Sequence, residues 1–307
     1  PVNLFAAYSC RGEWAAEYTS RLGGEGLDVD LVNGDQYDVV DSTRWEQFVN
    51  KLRSLHGAGR LAGGVTGPPC DTYSAVRGFA GGPQPLRTES GPGRYGRRDL
   101  DAPDAERVKI GTLLAMRALE FCRMLREWGL PFFLENPAPR SGHPSMFNLD
   151  EFVEFSALAG VLVLEGPQCP AGSPFAKRTR WLTNCSLAAL PACTHDAVDW
   201  IVPAMGERYK GPHMRLVGKA PAIRLSDRYS GIFPNASDAF VSKAAAAYPS
   251  RINRWIVSAI ATCPLPSSPV VVAAASSTSP CANIIERQSH VIMSAPLRGH
   301  RADTSRG

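Results

Sequence analysis

The sequence has no run approaching the roughly eighteen uncharged apolar residues that a membrane-spanning helix needs, so a membrane partner is not expected. Its first residues lack the basic stretch and apolar core of a secretory signal. Net charge is small: 33 Lys and Arg against 29 Asp and Glu leave +4, too weak a surplus to name nucleic acid as a partner by itself. The eight cysteines lack regular spacing, which argues against a disulfide framework and for reduced thiols in an intracellular setting. Cys169, Cys185, Cys193 and His195 fit no standard zinc module, and no metal is expected. The sequons at Asn184 and Asn235 are then fortuitous.

What is present is ordinary globular composition, 44% hydrophobic and 20% charged, over 307 residues, enough for one large core. We expect one domain over residues 1–262 and a disordered tail over 263–307, where Ser, Pro, Ala and Val follow one another without periodicity. Pro1 in place of Met is compatible with a piece of a longer polyprotein. Charge is uneven: Glu207 to Arg228 holds six Lys or Arg against two acids, a candidate phosphate-facing surface or simply a solvated basic face.

Strand and helix patterns alternate through the first half. Val2 to Ala7 reads as a buried strand, Glu13 to Tyr18 as the following helix, and Gly23-Gly24 as its stop. Leu27 to Val32 alternates like a second strand, and an acid at the end of such a strand commonly meets a ribose hydroxyl, which makes Asp30 a candidate. Thr43-Arg-Trp-Glu46 has capping-box spacing, with Trp45, Phe48, Val49, Leu52 and Leu55 on one helix face. The class expected is α/β, a doubly wound and mostly parallel sheet.

Chemistry concentrates at strand ends. Leu61 to Thr66 leads into Gly67-Pro68-Pro69-Cys70; two prolines stop the ladder and present Cys70 at a carboxyl edge, where open α/β sheets bind ligands. A buried apolar role for that cysteine is the alternative. Leu130 to Leu134 ends in Glu135-Asn136-Pro137, the carboxylate being either a cap or a working acid. Arg178 and Arg180 precede the apolar pair Trp181-Leu182. Residues 76–104 form a long Gly-, Pro- and Arg-rich loop or insertion, in which Arg77, Arg87, Arg94, Arg97 and Arg98 either meet phosphates or decorate a loose surface. Ala105 to Trp128 is a long helix ended by Gly129 and Pro131, and Ser237 to Ala261 reads as two short helices broken at Pro249.

As an ordered set these motifs resemble those of cytosine-C5 DNA methyltransferases. Gly67-Pro-Pro-Cys70-Asp-Thr-Tyr-Ser74 is similar to the Pro-Cys nucleophile motif, Glu135-Asn136-Pro137 to the Glu-Asn-Val motif, and Arg178-x-Arg180 to the end of the Gln-x-Arg-x-Arg motif. The resemblance is closer to methyltransferase-like domains of protist retroelement polyproteins and runs loosely from Val2 to about Ala261. It implies a Rossmann-like, S-adenosylmethionine-dependent fold, with cofactor contacts at Phe5, Ala6, Ala7, Asp30, Asp38 and Pro68. It further implies catalytic Cys70, Glu135, Arg180 and Arg178, substrate contacts at Pro69, Ser74 and Asn136, and DNA as the partner of a monomeric, intracellular protein, nuclear if it acts on genomic DNA. Ala7, Ser9 and Cys10 stand where the family carries loop glycines, its closing motif survives only as Ile252-Asn253, and residues 185–236 leave a reduced recognition region. A catalytically degenerate nucleic-acid-binding module of a mobile element is therefore the main rival. A Cys-His hydrolase would have only His143 to offer, and an amino-group methyltransferase fits less well because Gly67 and Cys70 flank the prolines.

Overall fold

The computed structural model describes residues 3–7, 13–79, 82–173, 175, 177–186, 193, 197–202, 207–213 and 248–263. The loop 8–12, most of the basic segment beyond 213, the first of the two expected C-terminal helices and the expected tail lie outside them.

A six-stranded sheet forms the frame. Strands β1 (Asn3–Ala7), β2 (Glu25–Val29), β3 (Leu61–Thr66) and β4 (Phe132–Pro137) run parallel, and β5 (Leu162–Pro167) and β6 (Arg178–Thr183) complete the order β2-β1-β3-β4-β6-β5. Three neighbouring pairs are parallel, and β6 runs antiparallel to both β4 and β5. The sheet is thus mixed rather than uniformly parallel. A separate antiparallel hairpin joins β7 (Ala197–Val202) to β8 (Glu207–Pro212).

Helices cover both faces. On one, α1 (Glu13–Leu22) and α5 (Ser250–Thr262) pack Trp14, Tyr18, Ile252 and Ile256 onto Val65, Phe133 and Trp181. On the other lie α2 (Ser42–Gly57), α3 (Ala102–Glu127) and the short α4 (Asp150–Ser156). A Cβ on Gly64 would overlap the Phe121 ring, so this glycine is what lets α3 lie flat on β3. The apolar face expected of α2 is buried as read. Its N-cap is Asp41, whose carboxylate accepts from the Arg44 N–H at 2.9 Å, in place of the Thr43 capping box, because the helix starts two residues earlier. β2 ends at Val29, short of the expected Val32, where the chain turns through Leu31–Asn33 and the Asn33 N–H donates to the Asp30 carbonyl at 2.9 Å.

In the Arg-rich loop, four of the five arginines are bonded to protein acceptors. Arg87 is buried at 1% exposure, stacked 3.8 Å over Tyr73, and donates to Thr72, Thr112 and the carbonyls of Val108 and Arg94. Arg94 is tied to Asp150 and the Asn148 carbonyl, Arg97 to Asp99, and Arg77 to the carbonyls of Asp71 and Gln84. Arg87 fastens the loop to α3 and Arg94 fastens it to α4, whereas Arg77 and Arg97 bond locally, within residues 71–99. Arg87 alone of these is fully buried.

Burial of thiols predicts an alkaline weakness. Cys122 is fully buried in α3, and burial pushes its thiol well above the ordinary value near 9.0. A folded pKa above the unfolded one means that the contribution is complete below the unfolded pKa and is lost as pH rises toward the folded one. Stability should therefore fall from about pH 8.5 upward, by ~1.4 kcal/mol per pH unit for this group. Urea unfolding at stepped pH checks this: Cys122→Ala should flatten the alkaline slope by about one proton, and an unchanged slope would contradict the assignment.

Candidate active site

The strand order reverses between β1 and β3, since β2 flanks β1 on one side and β3 on the other. Ligands of open α/β sheets bind in the crevice outside the carboxyl ends at such a switch point. Register places the sequence candidates there: Val29 pairs with Ala7, Ala7 with Thr66, and Thr66 with Leu134. Asp30 follows the first of these, Gly67 to Cys70 the third, and Glu135 the last. Phe5, Ala6 and Ala7 therefore lie along the central strand of this edge. Asp38 caps a local turn, its carboxylate accepting from the Val40 N–H at 3.0 Å.

The turn after β3 is anchored from below. Pro68 is buried, and its carbonyl accepts from Asn136 Nδ2 at 2.9 Å, so the amide of the Glu-Asn-Pro motif holds the Pro-Pro turn in place. Pro69 is exposed and Cys70 partly exposed, with the Cys70 carbonyl accepting from the Tyr73 N–H at 3.0 Å. Ser74 caps the next turn through the Val76 N–H, which gives it a local structural job.

Glu135 lies buried beneath Gly67. Its Oε2 accepts from the Tyr248 hydroxyl, and its Oε1 faces Lys177 Nζ at 3.7 Å. Lys177 Nζ also lies 5.0 Å from the Tyr248 ring centroid, and Tyr248 packs against Trp14 with centroids 4.8 Å apart. A Cβ on Gly67 would come within 3.3 Å of both Glu135 Oε2 and the Tyr248 hydroxyl, so glycine lets the turn settle onto the carboxylate. Trp14 Nε1 and Glu135 Oε1 are buried without a hydrogen-bond partner among the described residues, although Oε1 keeps its ion pair with Lys177.

Arg180 and Arg178 do not join this cluster. Side chains alternate across a strand, and Arg180 pairs with Asn136 and Glu165 while Glu135 pairs with Trp181. Arg180 therefore sits on the opposite face, with Nε and Nη2 both on Glu165 Oε1 and its guanidinium 5.3 Å from the Phe147 centroid; Arg178 reaches Oε2 of the same Glu165 at 3.7 Å. The cation at Glu135 is Lys177, which sequence reading passed over. Positions 177, 179 and 181 share the face of Glu135 only through the pairing of Trp181 with it, which the sequence does not give. Tyr248 and Trp14 carried no signal either. His143 packs edge-on against Phe79, centroids 5.5 Å apart.

No protein-family model matches the chain, and no curated protein is recognisably similar to it. Among solved structures, it is similar to a putative DNA modification methyltransferase encoded within a prophage (E. coli), with a TM-score of 0.36 and 11% identity over 67% of this chain. The match spans 54% of that neighbour, about half its length, and at this score is a loose likeness only. Among the described residues no helix is long and apolar enough to cross a membrane.

Proposed function

We propose that the chain is an S-adenosylmethionine-dependent methyltransferase with a Rossmann-like sheet that acts on C5 of cytosine in DNA through a covalent Cys70 adduct. The observation that carries this reading is the convergence, at one switch point, of a proline-fixed cysteine turn and a buried carboxylate joined to it through Asn136. The strand register supports a cofactor at this edge: Asp30 would take the ribose hydroxyls, and Phe5 to Ala7 and Pro68 would line the crevice. When bound, S-adenosylmethionine supplies an electrophilic methyl group.

The chain's own residues would do the rest. The target base must leave its stack or come from a single strand. The Cys70 thiolate adds to C6, the displaced electron pair makes C5 nucleophilic, and Glu135 meets the N3 edge of the base so that charge does not build up there. Lys177 takes the electrostatic role that the family resemblance assigned to Arg180, because it is the cation that faces Glu135. Once C5 carries the methyl group, loss of its proton and breakage of the C6–S bond restore the ring and free Cys70.

Transfer of a radiolabelled methyl group to duplex and single-stranded DNA tests this. Wild-type protein should label cytosine, Cys70→Ser should lose at least about a thousand-fold, and S-adenosylmethionine should raise the melting temperature. A folded protein that binds DNA but shows neither labelling nor cofactor stabilisation would replace this reading with that of a degenerate binding module.

A further inference from the structure

Cys169, Cys193 and His213 come together although 24 and 20 residues separate them in sequence, and irregular spacing had set metal aside. Their ligand atoms all lie within 4.8 Å of one another. The hairpin explains half of this: Ala197 pairs with Pro212, so its base brings the segment of Cys193 back beside His213. Cys193 Sγ lies 3.5 Å from His213 Nε2. Zinc bonds of about 2.3 Å to sulfur and 2.05 Å to nitrogen at a tetrahedral angle give an edge of about 3.5 Å. Buried Cys169 opens the short turn Cys169–Ala171, next to Gln168, whose amide binds Thr179 and whose backbone N–H donates to the Lys177 carbonyl.

We propose that Cys169, Cys193 and His213 bind a zinc ion that fastens the β7–β8 hairpin to the sheet beside the Glu135 cluster. Two thiolates and an imidazole are a soft to borderline donor set that suits zinc, and the fourth tetrahedral position is open to solvent or to a donor outside the described residues. An isolated two-stranded hairpin is marginal in water, so a metal at its base supplies what the small sheet cannot. Metal binding also draws the turn that leads to Lys177 into the same unit.

The full chain, purified reduced and without chelator, should carry about one zinc per molecule by elemental analysis. Cys169→Ser and His213→Ala should each fall to less than about a tenth of that, while Cys70→Ser keeps its zinc. Cobalt(II) substituted into the wild type should give tetrahedral d–d bands and thiolate charge transfer. His213→Cys should keep the metal and raise the charge-transfer intensity by about half, three thiolates replacing two, which decides the matter even where the other variants fail to fold. A reduced, folded wild type with no zinc and no cobalt charge transfer would overturn the site, as would zinc that survives both Cys169→Ser and His213→Ala.

Discussion

Replacing Arg87 with alanine is expected to lower folding stability by about 4 kcal/mol, the largest loss of any single substitution in the arginine-rich loop. The guanidinium makes four hydrogen bonds to uncharged acceptors and stacks on Tyr73, with only 1% of the residue exposed. Truncation takes the Arg87 donor from Thr72, Thr112 and the Arg94 carbonyl, while the Val108 carbonyl keeps the Thr112 hydroxyl; each lost buried bond is worth roughly 1–3 kcal/mol, and a cavity opens between the loop and α3. Burial also draws this guanidinium below its ordinary pKa, so the site tolerates the charge only because its donors are satisfied. Arg87→Lys should recover less than half, since one ammonium cannot span acceptors arranged for a planar fork. Urea unfolding measures both, and a loss under about 1 kcal/mol for Arg87→Ala would show that the loop holds itself by other means.

Lys177→Met is the second large effect, expected at about 3 kcal/mol with loss of activity. Glu135 is 4% exposed at its side chain and Lys177 11%, so deleting the cation leaves a carboxylate in the core with only the Tyr248 hydroxyl among the described residues. Glu135→Gln should cost less than Lys177→Met, because the amide still accepts from Tyr248. In the double variant the costs should be clearly less than additive, with a coupling of about 1–2 kcal/mol. Additive losses would mean that the two groups act independently. If Lys177→Met kept full methyl transfer while Arg180→Met abolished it, the exchange of roles argued for these two cations would be wrong.

Much of the frame was legible because hydrophobic period reports secondary structure directly. The α2 face, the β3 strand, and the Gly23 and Gly129 stops follow from spacing and from residues that tolerate positive φ. Strand order is another matter. Nothing in the residues 178–183 says that β6 runs antiparallel between β4 and β5, and that insertion decides on which face each basic residue emerges. The motif Arg178-x-Arg180 was legible as a motif, whereas its destination at Glu165 was not. Burial of Arg87 was equally hidden, because a Gly- and Pro-rich setting resembles a loose surface until Tyr73, Thr72 and Thr112 close around it. The Cys169, Cys193 and His213 grouping needed the hairpin, and period-2 patterning does not give its pairing partner.

The central claim is that Cys70, presented by a proline-fixed turn at the switch point, attacks a pyrimidine base. An oligonucleotide carrying 5-fluorocytosine tests it most directly, since fluorine at C5 blocks the final elimination and leaves the adduct in place. Incubated with the wild-type chain and S-adenosylmethionine, it should yield a species stable in denaturing gels, with the crosslink mapped by peptide mass to Cys70. The adduct should be missing for Cys70→Ser and without cofactor. Folded wild-type protein that transfers methyl groups yet forms no adduct, or an adduct mapped to another cysteine, would contradict the account.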